Sequence, residues 1–258
     1  MMDVAAILAA ARRARAAYVI DPAHSRAAFE ALGCSWIGQY RDGDSQAVLS
    51  RDAAGSVYLS ISGTRFSAGK FGDLFDDIDV VAVDLGGGVQ VTRGAYAGCA
   101  EIWAWATSLV PAGTVWNVEG HSLGGWRTSY TPLFVPAAQI GAMHAFEPPK
   151  GANLAYYQRY AAELANLVIV GNGADVWFGY PRLDSRWIHR PGPMLHLFDG
   201  GSRIIDTAAW PGGLDFGDHD IDLVVGRLTA AMSASAVAIL PAASPSGDAD
   251  LQMPAQGF

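Results

Sequence analysis

The residues best suited to chemistry are Gly120-His121-Ser122-Leu123-Gly124-Gly125, directly after the strand-like Val115-Trp116-Asn117-Val118. They contain Gly-x-Ser-x-Gly, the pattern of a nucleophile elbow, in which a strand turns sharply into a helix and holds a serine strained with its hydroxyl exposed. Gly120 and Gly124 suit that turn because a residue without a Cβ lets neighbouring backbones approach closely. In a chain of 30 glycines the five-residue pattern alone is weak; the preceding strand and following helix make it specific. The plainer alternative is an inert serine in a glycine-rich turn.

A serine hydroxyl is a poor nucleophile until a neighbouring base accepts its proton. In folds with this elbow the acid and then the histidine follow the serine in the chain. Asp175 is the candidate acid: it comes after the buried-type strand Leu167-Val168-Ile169-Val170 and the loop Gly171 to Ala174, at the carboxyl end of a strand, where sites gather in open α/β sheets. The competing role for Asp175 is to cap a turn or helix. Three histidines follow it. His196 lies inside an alternating strand pattern that commits its side chain to a sheet face, and His189 sits in an Arg-rich loop. His219, in Gly217-Asp218-His219-Asp220 before the last helix, is placed to reach the sheet's edge. His219 ranks first as the base and His196 second.

The elements that must position these residues read as one alternating series. A first helix places Val4, Ile7, Leu8, Ala11, Ala14 and Tyr18 at helical spacing and closes near Pro22. Runs at Ala47 to Leu49 and Val57 to Ile61, separated by the turn-like Asp52 to Gly55, suggest a hairpin. Apolar strands at Val80 to Leu85, Thr114 to Val118, Ile140 to Phe146 and Leu167 to Val170 then alternate with helices near Ala97 to Leu109, Leu123 to Thr131 and Asn153 to Leu164. A second hairpin, Met194 to Asp199 with Arg203 to Thr207, and a helix from Asp220 complete the series. Alternation of this kind implies a mostly parallel sheet covered by helices on both faces. The expected organisation is a single α/β domain over 1–240, with 1–20 an N-terminal helix packed on it and 241–258, rich in Pro, Ala, Ser and Gly, a flexible tail.

The sequence resembles the class 3 lipases of the α/β-hydrolase superfamily from about Val57 to about Val225. The resemblance rests on the Gly-His-Ser-Leu-Gly-Gly signature, Ser62-Gly63-Thr64, Arg93-Gly94-Ala95-Tyr96, Phe146 to Asn153, and Val170 to Asp175 with Pro181 following. It implies the α/β-hydrolase fold and a triad of Ser122, Asp175 and His219. The oxyanion hole would be formed by the backbone N–H groups of Thr64 and Leu123, helped by the Thr64 hydroxyl. It also matches His196 to a histidine that is not catalytic in that family, and places a helical lid over 65–79. In that segment Phe71, Leu74, Phe75 and Ile78 fall at helical spacing; a lid and a surface helix with its apolar face on the core both remain open. Trp126-Arg127 depart from the small or aliphatic residues usual after the signature, and Ile61-Ser62 replace the usual lead into the oxyanion motif.

Composition limits the partners. The chain has 258 residues, 51% of them hydrophobic and 16% charged; that length buries roughly 70–75% of its unfolded surface without staples of disulfide or metal. A net charge of −8 offers no footprint for nucleic acid. The aspartates of the segment 65–79 would repel anionic lipid and leave neutral esters favoured. Cys34 and Cys99 read as buried thiols, and no metal or cofactor motif is seen, so no cofactor is expected. The apolar Val4 to Ala11 precedes its arginines, the reverse of a Sec-type signal, and no stretch suits a membrane span, so the expectation is a cytoplasmic protein. Transient contact with a neutral lipid interface is compatible with this. The expected function is a serine carboxylic-ester hydrolase, lipase-like, acting on neutral acyl esters such as triacylglycerol or simpler esters. The alternatives are an acyltransferase on the same triad and a non-catalytic module that keeps the fold.

Overall fold

The structure, a computed structural model, describes residues 2–43, 45–64 and 79–238. Helix α1 (Val4–Ala16) starts at Asp3, whose carboxylate accepts the N–H groups of Ala5 and Ala6 and so satisfies donors that have no partner in a first turn. Helix α2 (Pro22–Ala31) follows, with Asp21 capping it and Pro22 at its first position. Strands β1 (Ser35–Asp42), β2 (Ser45–Arg51) and β3 (Val57–Ile61) form an antiparallel meander. After β3 the chain builds a short ribbon, β4 (Ala82–Asp84) with β5 (Gln90–Thr92), and two helices, α3 (Arg93–Tyr96) and α4 (Cys99–Ser108).

Strand β6 (Trp116–His121) leads into helix α5 (Leu123–Thr128), then β7 (Ile140–Phe146), helix α6 (Leu154–Arg159), β8 (Leu167–Asn172), the hairpin β9 (Pro193–Phe198) and β10 (Gly201–Asp206), and helix α7 (Ile221–Ala238). The main sheet runs β1-β2-β3-β6-β7-β8-β9-β10. From β3 to β9 neighbours are parallel, and an antiparallel hairpin closes each side. This is the expected α/β-hydrolase class: a mostly parallel sheet with helices on both faces.

The two-residue period of strands sorts the core into two layers. Met143, Ala145, Leu167, Ile169 and Met194 face α4, α5 and α6 through Ile102, Trp103, Trp126 and Tyr156. Phe146, Val170, Leu195 and Leu197 face the other way, against Ile7, Leu8, Ala11 and Ala14 of α1 and Ile221, Val224 and Leu228 of α7. Each large aliphatic or aromatic side chain fully buried in these layers contributes about 1.5–3 kcal/mol. Cys34 and Cys99 are buried free thiols.

Three expectations are corrected. Pro22 opens α2 instead of ending a helical region, and α2 and β1 were not anticipated. Val80 to Leu85 does not supply a strand of the main sheet: Gly86, Gly87 and Gly88, all with positive φ, turn the chain back at once, and the short strand pairs locally with β5. The helix expected over Asn153 to Leu164 stops at Arg159, with a 3-10 turn at Glu163–Asn166. The lid expectation over 65–79 lies, Asp79 apart, outside the described residues, as does the tail expectation over 241–258. Among the described residues no helix is long and apolar enough to cross a membrane.

Candidate active site

The turn between β6 and α5 requires its glycines. A Cβ on Gly120 would lie 2.3 Å from the carbonyl of Gly124, and one on Gly124 would lie 2.0 Å from the carbonyl oxygen of Ile61. A Cβ on Gly125 would come 2.9 Å from the carbonyl oxygen of Phe146. The chain therefore crosses β3, β6 and β7 at backbone contact, and Ser122 is forced to φ 58°, ψ −123°. A non-glycine residue held there costs about 1–3 kcal/mol, a strain that persists where the surroundings over-determine it. Ser122 N donates to Phe146 O at 2.9 Å, which ties the elbow to the next strand.

The Trp126-Arg127 departure is accommodated by its surroundings. A Cβ on Gly151 would fall 1.3 Å from Trp126 Nε1, so the indole occupies the space that any other residue at 151 would fill. Arg127 is buried, and its guanidinium donates to the carbonyls of Ala95 (3.1 Å) and Ala97 (2.7 Å).

Asp175 sits just beyond β8, fully buried. Its carboxylate accepts the N–H groups of Trp177 (2.8 Å) and Phe178 (3.2 Å) and still reaches His219, whose Nδ1 lies 2.9 Å from Oδ2. The two roles considered for Asp175, a turn cap and a histidine partner, are thus both occupied. His219 Nε2 is 2.8 Å from Ser122 Oγ. The tautomer that satisfies both contacts carries its proton on Nδ1, donates it to Asp175, and accepts the serine hydroxyl on Nε2.

Asp218 fixes the loop that carries His219. Its carboxylate accepts Ala174 N at 2.7 Å and Arg227 Nη1 at 2.8 Å, and its carbonyl accepts Asn172 Nδ2 at 2.7 Å. A Cβ on Gly173, which has φ +48°, would meet that carboxylate at 2.1 Å. The end of β8 and the start of α7 are in this way locked together around Asp175 and His219.

His196 and His189 lie elsewhere. His196 Nε2 contacts Gly173 O at 2.9 Å from its place on β9, and His189 Nε2 donates to Phe178 O at 2.8 Å. Of the residues expected at an oxyanion hole, Leu123 opens α5. Thr64 follows Gly63, where a Cβ would lie 2.7 Å from Ser122 Cβ; the backbone before Thr64 therefore runs directly against the serine.

The fold has counterparts among solved structures. The chain superposes on mono- and diacylglycerol lipase from Aspergillus oryzae with a TM-score of 0.65 at 17% identity, covering 85% of this chain and 96% of that one. For a triacylglycerol lipase from Penicillium expansum the TM-score is 0.63 at 16% identity, with 88% and 98% covered. For Rhizomucor miehei triacylglyceride lipase it is 0.63 at 13% identity, with 84% and 92% covered. The chain has the fungal triacylglycerol-lipase fold. A scan against protein-family models and a search of curated proteins find no match.

Within this lipase fold the structure also brings together residues that sequence reasoning missed as a group. His121, inside the elbow signature, places Nδ1 2.6 Å from Tyr18 Oη and Nε2 2.9 Å from Glu147 Oε2, and its ring centroid is 4.9 Å from that of His219. Glu147 is fully buried and has φ +48°, unusual for a residue with a side chain. Burial, reinforced by the nearby Asp175 carboxylate, holds the Glu147 carboxyl well above the usual carboxylate range. Burial, then His219, holds His121 well below an ordinary histidine. A neutral carboxyl donates its O–H to His121 Nε2, leaving His121 Nδ1–H to donate to Tyr18. Atoms of His121, Glu147 and His219 able to ligate a metal lie within 4.8 Å of one another, and the first two are already joined by that hydrogen bond. The sequence signal for Glu147 was slight: a lone acid directly after an apolar strand.

Proposed function

We propose that this protein is a serine carboxylic-ester hydrolase, lipase-like, that cleaves neutral acyl esters through an acyl-enzyme on Ser122. The reading rests on one observation above all: the continuous hydrogen-bonded line from Ser122 Oγ through His219 to Asp175, at an elbow that strains the serine. His219 takes the hydroxyl proton as Ser122 attacks the ester carbonyl, and returns it to the departing alcohol. Asp175 keeps the imidazole in the tautomer this needs and stabilises its cation. The oxyanion is met by the N–H of Leu123, at a helix start where the first N–H groups have no intrahelical partner, and by that of Thr64; losing one such donor costs about 10²–10³ in rate. Water then attacks the acyl-enzyme, with His219 as base, and releases the carboxylate.

The structural relatives, named as triacylglycerol and mono- and diacylglycerol lipases, suggest acylglycerols, and the same acyl-enzyme chemistry serves simpler esters. The test is hydrolysis of p-nitrophenyl esters of short and long acyl chains, together with fluorophosphonate labelling. The unmutated protein should hydrolyse the esters and carry the phosphonyl adduct on Ser122, and Ser122→Ala should lose about 10⁴-fold or more of the rate. A folded protein that neither turns over these esters nor labels on Ser122 would overturn the reading.

A further inference from the structure

A second cavity, of about 610 Å³, opens away from the serine: none of Ser122, Asp175 and His219 lines it. Its walls include Lys150, Arg182, Trp187, Ile188, His189 and Trp210, and its volume lies within the span of small-molecule sites, roughly 300–1,000 Å³. Two cations face it. Lys150 Nζ donates to Pro181 O at 3.4 Å and Arg182 donates to the carbonyl of Gly213; neither forms an ion pair with a carboxylate among the described residues.

The acid at the same cavity, Asp184, is engaged by Arg186 through contacts of 2.6 to 3.1 Å. His189 adds no charge, because burial lowers its pKa to about 3. Burial and then Arg182 also lower the pKa of Lys150: the two cations repel each other across a half-buried space in a chain whose net charge is −8. The apolar side of the cavity is aromatic. Trp187 is 1% exposed, Phe178 packs 5.0 Å from Trp210, and the buried indole N–H of Trp210 meets no acceptor.

We propose that this cavity is a second ligand site for a small organic anion, holding an oxyanion head such as a carboxylate between Lys150 and Arg182 and an apolar body against Ile188 and Trp210. An anionic head supplies what the two cations lack, and a planar or aliphatic body suits the indole face. Charged hydrogen bonds of this kind give orientation and specificity to an otherwise apolar pocket. The site is joined to the triad through one loop: Phe178, whose N–H donates to Asp175, stacks its ring on His189 at 4.0 Å.

The anion could be the carboxylate that ester cleavage itself releases or an unrelated aromatic acid. Calorimetric titration with octanoate, naphthalene-2-sulfonate and uncharged 1-octanol separates these sources. At least one anion should bind at a single site at least tenfold more tightly than octanol. Arg182→Met, at an exposed position, should weaken that binding tenfold or more, as should Lys150→Met, while Ser122→Ala leaves it unchanged. Octanoate as the tighter ligand assigns the site to the released acid, and the sulfonate as the tighter ligand assigns it to aromatic acids. The proposal fails if octanol binds as tightly as either anion, if no probe binds at millimolar concentration, or if folded Arg182→Met binds like the unmutated protein.

Discussion

Glu119 and His121 stand two residues apart on β6 and face the same helical layer, yet burial is resolved differently at the two positions. Glu119 meets a permanent cation: Arg13 of α1 lies 2.8 and 3.1 Å from its two oxygens, and Ser60 donates to it at 2.6 Å. Burial opposes the charge on Arg13, but Glu119 outweighs it and raises the guanidinium pKa. One turn beyond α1, His121 meets Tyr18 and Glu147, and neither of these is charged. At one end of the strand the protein keeps a full ion pair. At the other it keeps a proton shared within a neutral pair, against the ring of His219.

The contrast can be broken from either side. The largest effect is expected from Arg13→Met, which leaves Glu119 buried and unpaired; it should destabilise the protein by about 3–5 kcal/mol in denaturant titration. Glu147→Ala should cost about 1–3 kcal/mol, because it strands His121 Nε2 without a partner and removes no ion pair. Tyr18→Phe deletes only a hydroxyl and should cost about 1 kcal/mol.

Glu147→Gln is the smallest change and the sharpest test. A carboxyl whose folded pKa is raised contributes stability that is fully present below its unfolded pKa and is lost as pH rises through the folded value. The amide has no proton to lose. The melting temperature of Glu147→Gln relative to the unmutated protein should therefore climb as pH rises from the ordinary carboxylate range through neutrality. A flat difference across that range would mean that Glu147 is ionised in the folded protein, and the distinction between the two clusters would collapse.

Much of this was legible in the sequence where a single residue type is forced. The elbow could be read because each of Gly120, Gly124 and Gly125 answers to a backbone within 3 Å, and glycine is the one residue that satisfies such a contact. The order serine, acid, histidine came from the elbow's usual fold and not from a forced residue type, and the structure brings Ser122, His219 and Asp175 within hydrogen-bond distance. What escaped was decided by tertiary context. Asp21-Pro22 is compatible with both the end and the start of a helix, and the packing of Phe29 and Ser25 decides for a start. Glu147 escaped because its slight local signal, an acid directly after an apolar strand, does not distinguish a buried neutral acid from a solvated one. Its partner His121 lies in the signature itself but makes its contacts with residues from two distant segments. The short strand at Ala82–Asp84 was misassigned because apolar content does not reveal which neighbour a strand will find.

The layer formed by α1 and α7 has a consequence for biosynthesis. Ile7, Leu8 and Ala11 are made more than 200 residues before the surface they bury against, Ile221, Val224 and Leu228. At roughly 5–20 residues per second of elongation, the first helix waits many seconds with its apolar stripe uncovered. His219 precedes α7 by two residues, so on the proposed function the serine would gain its base only as that stripe is covered. The residues proposed as nucleophile and base thus stay apart until the two helices meet.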